Sequence, residues 1–393
     1  MVQAAMSERL LVAPDRSFLL FGPRGVGKST WLRTQFAQAL WFDLLDSSVE
    51  LSLMADPASL AQRVEHLPAK SWVCIDEVQK IPALLDQVHA LSERKKLRFA
   101  LTGSSARKLR RGGANLLAGR ANVLTMRPFS LQEVGDLPVN WHLEVGLLPM
   151  VVNEPKHARA ILSAYVHTYL KEEIRAEGLV RKVEPFVRFL RVAGIMNGQI
   201  LNLANIARDA AVPRNSVETY FSILEDTLVG TLLPAYQPGA RVREVGHPKF
   251  FWFDAGVARA AAGLINDPVD TLWTGFAFES WVLHEINVYN ETAERNRLVA
   301  HYRTGAGVEV DFLVETKKKT LSAKAEVVLI EAKSAKKWKP AYGAHMRSLV
   351  DNGSVKVKAC IGVYLGTERL TVEGVSVFPL HDFVQALYEG AIF

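Results

Sequence analysis

A glycine-rich segment near the amino terminus combines residue types that bind phosphate. Gly22, Gly27, Lys28 and Ser29 fill the pattern GxxxxGK(S/T). In that pattern, backbone N–H groups curl around a phosphate, the lysine reaches the β- and γ-oxygens, and the hydroxyl ligates Mg²⁺. We therefore expect a loop that binds ATP and Mg²⁺, formed by Gly22, Pro23, Arg24, Gly25, Val26, Gly27, Lys28, Ser29 and Thr30.

Polar residues also follow two further apolar segments. Residues 72–75 and 99–102 are each typical of a buried strand, the first ending at Asp76 and Glu77 and the second followed by Ser104. An aspartate at such a strand end holds Mg²⁺, and a neighbouring glutamate can polarise the attacking water. We assign these roles to Asp76 and Glu77, and the presence of both acids favours hydrolysis over binding alone. Thr102 and Ser104 are candidates for positioning water or sensing the γ-phosphate.

The residues around the loop predict the elements that position it. The apolar run Phe18–Phe21 predicts a buried parallel strand before the loop, and the residues from Ser29 onward predict a helix after it. The helix N-terminus would add partial positive charge at the phosphates. These features predict an α/β fold whose first domain is a doubly wound parallel sheet.

The order of motifs resembles that of a known family. After the loop and the acidic pair come LTGSS at 101–105, LLAGR at 116–120 and RPFSL at 127–131. This order is similar to that of the bacterial and archaeal AAA+-type P-loop ATPases that carry a DUF4143 region. The resemblance implies that Arg120 is an arginine finger entering a neighbouring subunit, and hence a homo-oligomer such as a hexamer. The alternative is that Arg120 is a surface or phosphate-binding arginine in a basic stretch. Residues 144–149 depart from the family's GGYP-like turn, and Arg159 and Arg175 both stay open as a second sensor.

The middle of the chain suggests a DNA-binding unit. A helix is predicted over 156–177, then a helix from Leu203, a second helix from about residue 215, and two strands at 228–236 and 249–253. Two helices and a β-hairpin are typical of a winged helix. Candidate DNA contacts are Arg208, Arg214, Asn215, Glu218, Arg241, Arg243 and Lys249. Residues 141–270 carry 14 basic and 14 acidic side chains, so a lid or protein-contact role stays open.

The C-terminal region resembles the PD-(D/E)xK nuclease fold. Glu279 lies on a predicted helix, Asp311 on a predicted strand, and Glu331 and Lys333 on the same face of the next strand. The three carboxylates could hold Mg²⁺, with Lys333 orienting the nucleophile or the phosphate. Lys336 and Lys337 could contact the nucleic-acid backbone. The alternative is a domain that keeps the fold alone, with Glu331 and Lys333 as an ion pair.

Composition limits the class of protein. The 393 residues are 49% hydrophobic and 22% charged, with a net charge of +6, which is typical of globular domains. No apolar run reaches the roughly 18 residues needed to cross a bilayer, and two cysteines exclude a disulfide framework. We expect a cytoplasmic protein with no membrane contact. Basic clusters at 94–111 and 333–358 suit a polyanionic partner.

Together these features predict four parts and one main function. We expect an AAA+-like ATPase core at 1–140, a helical connector at 141–180, a winged helix at 181–265 and a PD-(D/E)xK-like domain at 270–393. The predicted function is ATP hydrolysis coupled to work on DNA, such as branched or recombining DNA. The alternatives are an ATP-regulated, Mg²⁺-dependent DNA nuclease and a nucleotide switch that binds a protein partner.

Overall fold

The computed structural model of the chain describes residues 8–104, 121–135, 138–170, 183–237, 246–305 and 307–393. Its residues divide into two compact units. We call Glu8–Pro128 with Ser222–Val229 the P-loop unit, and Phe129–Phe221 with Gly230–Phe393 the C-terminal unit.

A parallel sheet forms the centre of the P-loop unit. Its five strands lie in the order β2-β3-β4-β1-β5, all pairs being parallel. The strands are β1 (Phe18–Phe21), β2 (Leu40–Asp43), β3 (Trp72–Asp76), β4 (Arg98–Gly103) and β5 (Asn122–Thr125). The helices are α1 (Lys28–Gln35), α2 (Ser47–Ala55), α3 (Ser59–Arg63) and α4 (Leu84–Arg94), with a 3₁₀ turn at Val78–Lys80.

Apolar strand residues account for the burial of this sheet. β1 is buried along its whole length, and the central residues of β3 and β4 are equally inaccessible. Helix α4 places Leu84, Val88 and Leu91 against the same core, at the spacing of one helical face. A sheet covered in this way needs apolar runs, which is why β1, β3 and β4 were correctly predicted from sequence.

Short helices begin the C-terminal unit. They are α5 (Leu131–Val134), α6 (Val139–Val145), α7 (Pro149–Val152) and α8 (Ala158–Ala164), with a 3₁₀ turn at Pro155–His157 and a π-helical segment at Tyr165–Leu170. The single helix predicted over 156–177 is therefore wrong in its bounds where the chain is described. The 3₁₀ turn that begins at Pro155 takes the first residues of the segment, and π-helical hydrogen bonding replaces the α-helix from Tyr165 onward.

A small antiparallel sheet with three helices follows. Helices α9 (Val183–Ile195), α10 (Leu203–Asp209) and α11 (Arg214–Asp226) precede or flank the strands β6 (Gln199–Ile200), β7 (Gly230–Leu233) and β8 (Lys249–Trp252), in the order β6-β8-β7. Aromatic rings fill the space between them, with Phe189 and Phe221 at 4.9 Å and Phe221 and Phe250 at 4.8 Å between ring centroids. The two expected helices and two strands are present, with shorter strands than predicted, and the winged-helix assignment stays a prediction.

The last part of the chain forms a mixed sheet. Its order is β13-β14-β12-β11-β10-β9, antiparallel from β9 to β11 and parallel from β11 through β12 to β14. The strands are β9 (Leu298–Arg303), β10 (Glu309–Lys317), β11 (Glu326–Lys333), β12 (Lys356–Tyr364), β13 (Leu370–Val372) and β14 (Val375–Pro379). The helices are α12 (Ala255–Ala262), α13 (Thr271–Thr292), α14 (Ala344–Asn352) and α15 (Leu380–Tyr388), and Pro340–Gly343 forms a 3₁₀ turn.

The α/β fold class is confirmed by the all-parallel sheet together with the additional sheets and helices. The division into four domains stays a prediction. None of the helices in the part of the chain described above has the length and apolar character needed to cross a membrane.

Candidate nucleotide site and C-terminal carboxylate cluster

The predicted phosphate loop joins β1 to α1 without any other element between them. Gly25 and Gly27 have φ angles of 83° and 90°, which an L side chain rarely adopts. Lys28, the first residue of α1, is buried and its Nζ donates hydrogen bonds to the carbonyls of Gly22 and Pro23, at 2.7 and 3.0 Å. The lysine ammonium therefore lies over the loop that the sequence assigns to phosphate.

Gly22 and Gly27 have different surroundings in the loop. A Cβ at Gly22 would lie 2.3 Å from the carbonyl oxygen of Met126, so only glycine permits this close approach between backbone segments. A Cβ at Gly27 would meet nothing within 4 Å, so the loop is open on that side. Positive φ at Gly25 and Gly27 next to an open side is the backbone arrangement of an anion-binding nest. The residues present therefore fit a nucleotide phosphate.

The predicted acids lie at the carboxyl edge of the same sheet. β4 lies between β1 and β3, and Asp76 at the end of β3 is in register with Asp43 at the end of β2. Thr102 on β4 donates its hydroxyl hydrogen to Asp76 Oδ1 and accepts from the backbone N–H of Glu77 at 3.0 Å. Thr102 thus connects the predicted metal ligand to the predicted general base.

Sequence reasoning missed Gln79, which connects the next pair of predicted residues. Its Nε2 donates to Glu77 Oε2 and to Ser104 Oγ, the latter at 3.1 Å. Glu77 itself has a left-handed backbone, with φ 60° and ψ 42°. A Cβ at Gly103 would lie 2.8 Å from Gln79 Oε1, so a larger residue there would displace the buried amide. The sequence signal was a polar residue two positions after the acidic pair, between Val78 and Lys80 in the 3₁₀ turn.

Several predicted residues lie elsewhere or outside the described residues. Arg120, Arg175, Arg241 and Arg243 fall outside them. Arg159, one candidate for the second sensor, forms an ion pair with Glu144 at 2.6 Å in the C-terminal unit.

The C-terminal carboxylates do converge. Lys333 Nζ lies 2.6 Å from Glu331 Oε1 and 3.2 Å from Asp311 Oδ2. Burial, together with repulsion from Asp311, raises the pKa of Glu331 above its ordinary value, and the same two causes raise the pKa of Glu279. The structure therefore brings Glu279, Asp311, Glu331 and Lys333 together, with Asp311 and Glu331 buried and Glu279 and Lys333 half-buried, and the metal-binding role assigned to them stays a prediction.

Lys249 belongs to this group as well, which corrects its prediction as an exposed wing residue. Only 5% of its side chain is exposed, and its Nζ lies 2.8 Å from Glu309 Oε1, 3.7 Å from Asp311 Oδ1 and 3.8 Å from Glu279 Oε2. Burial alone would lower the pKa of Lys249, but the carboxylates of Glu279, Asp311 and Glu309 raise it above the ordinary lysine value. We call Lys249, Glu279, Glu309, Asp311, Glu331 and Lys333 the carboxylate cluster.

The other predicted DNA contacts are exposed. The side chains of Arg208 and Arg214 are 73% and 65% exposed, and they pair with Asp209 and Glu218. Lys336 and Lys337 are exposed just after β11. All four can reach a partner from solvent.

A parallel sheet with a glycine-rich loop after its first strand, and with two acids at the end of β3, defines a P-loop ATPase of the α/β class. Residues 14–135 match the AAA_14 profile, an AAA domain. Residues 139–267 match DUF8612 and residues 274–383 match DUF4143, both described as domains of unknown function. The chain therefore belongs to the family of AAA-type ATPases that combine AAA_14 with DUF4143, and the predicted family is confirmed.

Similarity to proteins of known role is slight. No curated protein matches the sequence. Among solved structures, the Aeropyrum pernix Orc1 protein in complex with DNA is 14% identical, over 64% of this chain and 87% of that chain, with a TM-score of 0.31. A TM-score this low does not indicate a shared role.

Proposed function

We propose that the protein hydrolyses ATP at the P-loop and uses the hydrolysis to act on DNA. The observation that carries the first part is the chain of contacts from Asp76 through Thr102 to Glu77, and from Glu77 through Gln79 to Ser104. It fixes two acids and two hydroxyl groups at the sheet edge where the phosphate loop begins. An AAA domain supports ATPase activity in general.

Each residue has a distinct part in the proposed reaction. Lys28 would contact the β- and γ-phosphates, while Ser29 and Asp76 would hold Mg²⁺. The metal would supply electrostatic stabilisation of the phosphoryl oxygens. Glu77 would accept a proton from the attacking water, and Ser104 would contact the γ-phosphate or that water.

Gln79 is proposed as a positioning residue. Its amide hydrogen bonds hold the Glu77 carboxylate relative to Ser104, so the general base keeps one orientation. A neutral amide leaves the negative charge of Glu77 available for the proton, whereas a lysine in the same place would stabilise the unprotonated carboxylate.

The proposed oligomer depends on Arg120. An arginine that reaches a neighbouring subunit's phosphates stabilises charge that develops during transfer. If Arg120 has this role, an isolated subunit lacks one catalytic group, and a ring such as a hexamer supplies it. We also propose that the protein is cytoplasmic.

The DNA role is supported by exposed basic residues in the C-terminal unit. Arg208, Arg214, Lys336 and Lys337 can contact phosphates, and Arg241 and Arg243 are proposed contacts in the predicted wing. A winged helix in the middle of the chain and a PD-(D/E)xK-like domain at its end are part of this proposal. Branched or recombining DNA is the proposed substrate.

The decisive experiment is the steady-state ATPase rate of the full chain with and without four-way junction, duplex and single-stranded DNA. We expect activity that Lys28→Ala abolishes and that one DNA form stimulates strongly. A wild-type rate no higher than that of Lys28→Ala would contradict ATP hydrolysis. A normal rate that no DNA changes would contradict the DNA role alone.

A second candidate is a nucleotide switch that binds a protein partner. It is favoured by the ion pairs of Arg208 with Asp209 and of Arg214 with Glu218, which balance charge on the proposed DNA-binding surface. Phosphate contacts weaken as salt rises, because binding releases counterions. DNA binding that falls steeply between 50 and 200 mM salt supports the DNA role, and its absence at low salt supports the switch.

A further inference from the structure

The carboxylate cluster has a cation of its own. Lys249 arrives from β8, while Glu309 and Asp311 lie on β10 and Glu279 on α13. The lysine ammonium faces all three carboxylates, at 2.8 to 3.8 Å. The ammonium therefore occupies the position that a metal ion shared by these carboxylates would need.

The position of Lys249 is fixed by the strand that carries it. β8 is the central strand of its sheet, and alternate residues of a strand face opposite sides. Phe250 packs on Phe221 at 4.8 Å between ring centroids, while Phe251 packs on Phe312 of β10 at 6.1 Å. Lys249 lies on the same face of β8 as Phe251. The packing of β8 against β10 therefore also places the ammonium next to the carboxylates.

Asp311 and Glu331 are also engaged through further contacts, whereas Glu279 Oε2 is buried without a hydrogen bond and has the Lys249 ammonium at 3.8 Å. Asp311 Oδ2 accepts from the N–H of Ala332 at 3.0 Å and from Lys333 at 3.2 Å. Glu331 Oε1 contacts Lys333, and Glu331 Oε2 accepts from the N–H of Asp311 at 3.4 Å. Mg²⁺ requires oxygen ligands at about 2.1 Å in an octahedral arrangement. In the described ranges, no group of three or more histidine, cysteine, aspartate or glutamate residues has the geometry to hold a metal ion.

We infer that Lys249 is the built-in cation of the carboxylate cluster. The carboxylates then connect the β6-β8-β7 sheet to the mixed sheet that contains β10 and β11, and they do not hold Mg²⁺ to cut DNA. This inference is independent of ATP hydrolysis at the P-loop. It opposes the alternative of an Mg²⁺-dependent nuclease, although the residues of a nuclease-like site are close together. The nuclease pattern is read from Asp311, Glu331 and Lys333, and it gives no indication of a second lysine arriving from β8.

Mn²⁺ is a suitable probe, because its binding can be measured by electron paramagnetic resonance without any assay of activity. All titrations use the full chain without nucleotide and with Asp76→Asn, which removes the proposed P-loop metal carboxylate. We expect no Mn²⁺ binding in this background. Adding Lys249→Met should allow binding with an affinity at least about tenfold above the detection limit, because Glu279, Glu309 and Asp311 then lose the ammonium of Lys249 while their carboxylates remain. Adding Asp311→Asn to that variant should remove the gain.

Two outcomes would overturn the inference. The first is Mn²⁺ bound by the background protein and lost with Asp311→Asn, since the cluster would then hold metal with Lys249 in place. The second is a folded Lys249→Met variant that gains no binding, since the lysine would then not be what excludes the ion. Should Lys249→Met fail to fold, the background protein with and without Asp311→Asn decides the question, and Lys249→Arg, which keeps the charge, should behave as the background does.

Discussion

The nucleotide site and the carboxylate cluster use similar residues in different ways. Both include acids carried on strands and both include a buried lysine, Lys28 in one and Lys249 in the other. In the nucleotide site, Asp76 and Glu77 receive hydrogen bonds from the neutral side chains of Thr102 and Gln79. In the carboxylate cluster, the acids face ammonium groups.

This difference determines what each group of acids can do. Neutral donors orient a carboxylate but leave its negative charge for a metal ion or a proton. An ammonium group neutralises that charge and fills the space next to it. The same residue types therefore suit catalysis in one region and attachment between two sheets in the other, and the partners of the acids carry the distinction.

The largest effect should come from the acid that we propose as general base. Glu77→Gln keeps the size and hydrogen bonding of the side chain but removes the group that accepts a proton. We expect kcat for ATP hydrolysis to fall on the order of 1,000-fold, since general-base catalysis contributes about 10²-fold to 10⁴-fold. ATP binding should persist, because Lys28 and the loop backbone remain.

Nucleotide retention measured alongside the rate provides the check. Glu65→Gln is a matched control, because the Glu65 side chain in the same unit is 76% exposed. Normal turnover in Glu77→Gln would show that another group accepts the proton. The comparison would then no longer assign catalysis to the acids of the nucleotide site.

The next largest effect should come from removing the ammonium of the carboxylate cluster. Lys249→Met leaves Glu309 and Asp311 buried or half-buried beside an apolar side chain. We expect the free energy of unfolding to fall by about 3 kcal/mol, the effect of removing one partner of a buried ion pair. Urea denaturation of the full chain at pH 7 measures this change.

Lys356→Met provides the comparison within the same unit. Lys356 is 71% exposed and pairs with Glu326 at 3.0 Å, so its loss should change stability by less than about 1 kcal/mol. Equal effects of the two substitutions would mean that burial does not distinguish Lys249 from a surface lysine.

The two regions also differ in how much could be predicted from sequence. The phosphate loop and the acids at the end of β3 were predictable, because each depends on neighbours within a few residues. Gln79 was not, because its role depends on Ser104, which pairing of β3 with β4 brings alongside. Local apolar runs specify the strands, but they do not specify which polar side chains meet across them.

Lys249 illustrates the same limit over a longer range. Glu279, Asp311, Glu331 and Lys333 were predicted to meet, because their spacing follows a known pattern. The place of Lys249 depends on which side of β8 faces β10, and that follows from the packing of Phe251 on Phe312. A lysine at the start of an otherwise apolar strand was the available signal, and it was interpreted as an exposed contact.

A smaller effect should come from Gln79, which orients the Glu77 carboxylate without taking the proton. Gln79→Leu removes both amide hydrogen bonds at similar side-chain volume. We expect kcat to fall about tenfold with KM for ATP unchanged, because a hydrogen bond to a charged group contributes about 1.5 kcal/mol or more. Gln62→Leu, at an exposed position of the same unit, is the control. A raised KM with unchanged kcat would assign Gln79 to nucleotide binding instead.

The most gradual effect should come from Glu285, a fully buried acid that receives neutral donors and so tests the comparison outside both regions. Its Oε1 accepts from the N–H of Leu131 at 2.8 Å and from Trp281 Nε1 at 3.0 Å, while Oε2 is buried without a hydrogen bond. Burial raises the pKa of Glu285 from 4.5 to about 8, and the Glu133 carboxylate adds to the shift.

Stability should therefore fall as pH rises between about 4.5 and 8, because the unfolded chain releases this proton while the folded chain keeps it. The slope contributed by one such group is at most about 1.4 kcal/mol per pH unit. Glu285→Gln should remove that slope, whereas Glu294→Gln, at an exposed position, should leave it. Denaturation curves from pH 5 to 8 measure both variants. If Glu285→Gln keeps the wild-type dependence of stability on pH, the Glu285 carboxyl is ionised in the folded protein with neutral donors alone. Buried charge in the carboxylate cluster would then not require an ammonium partner either.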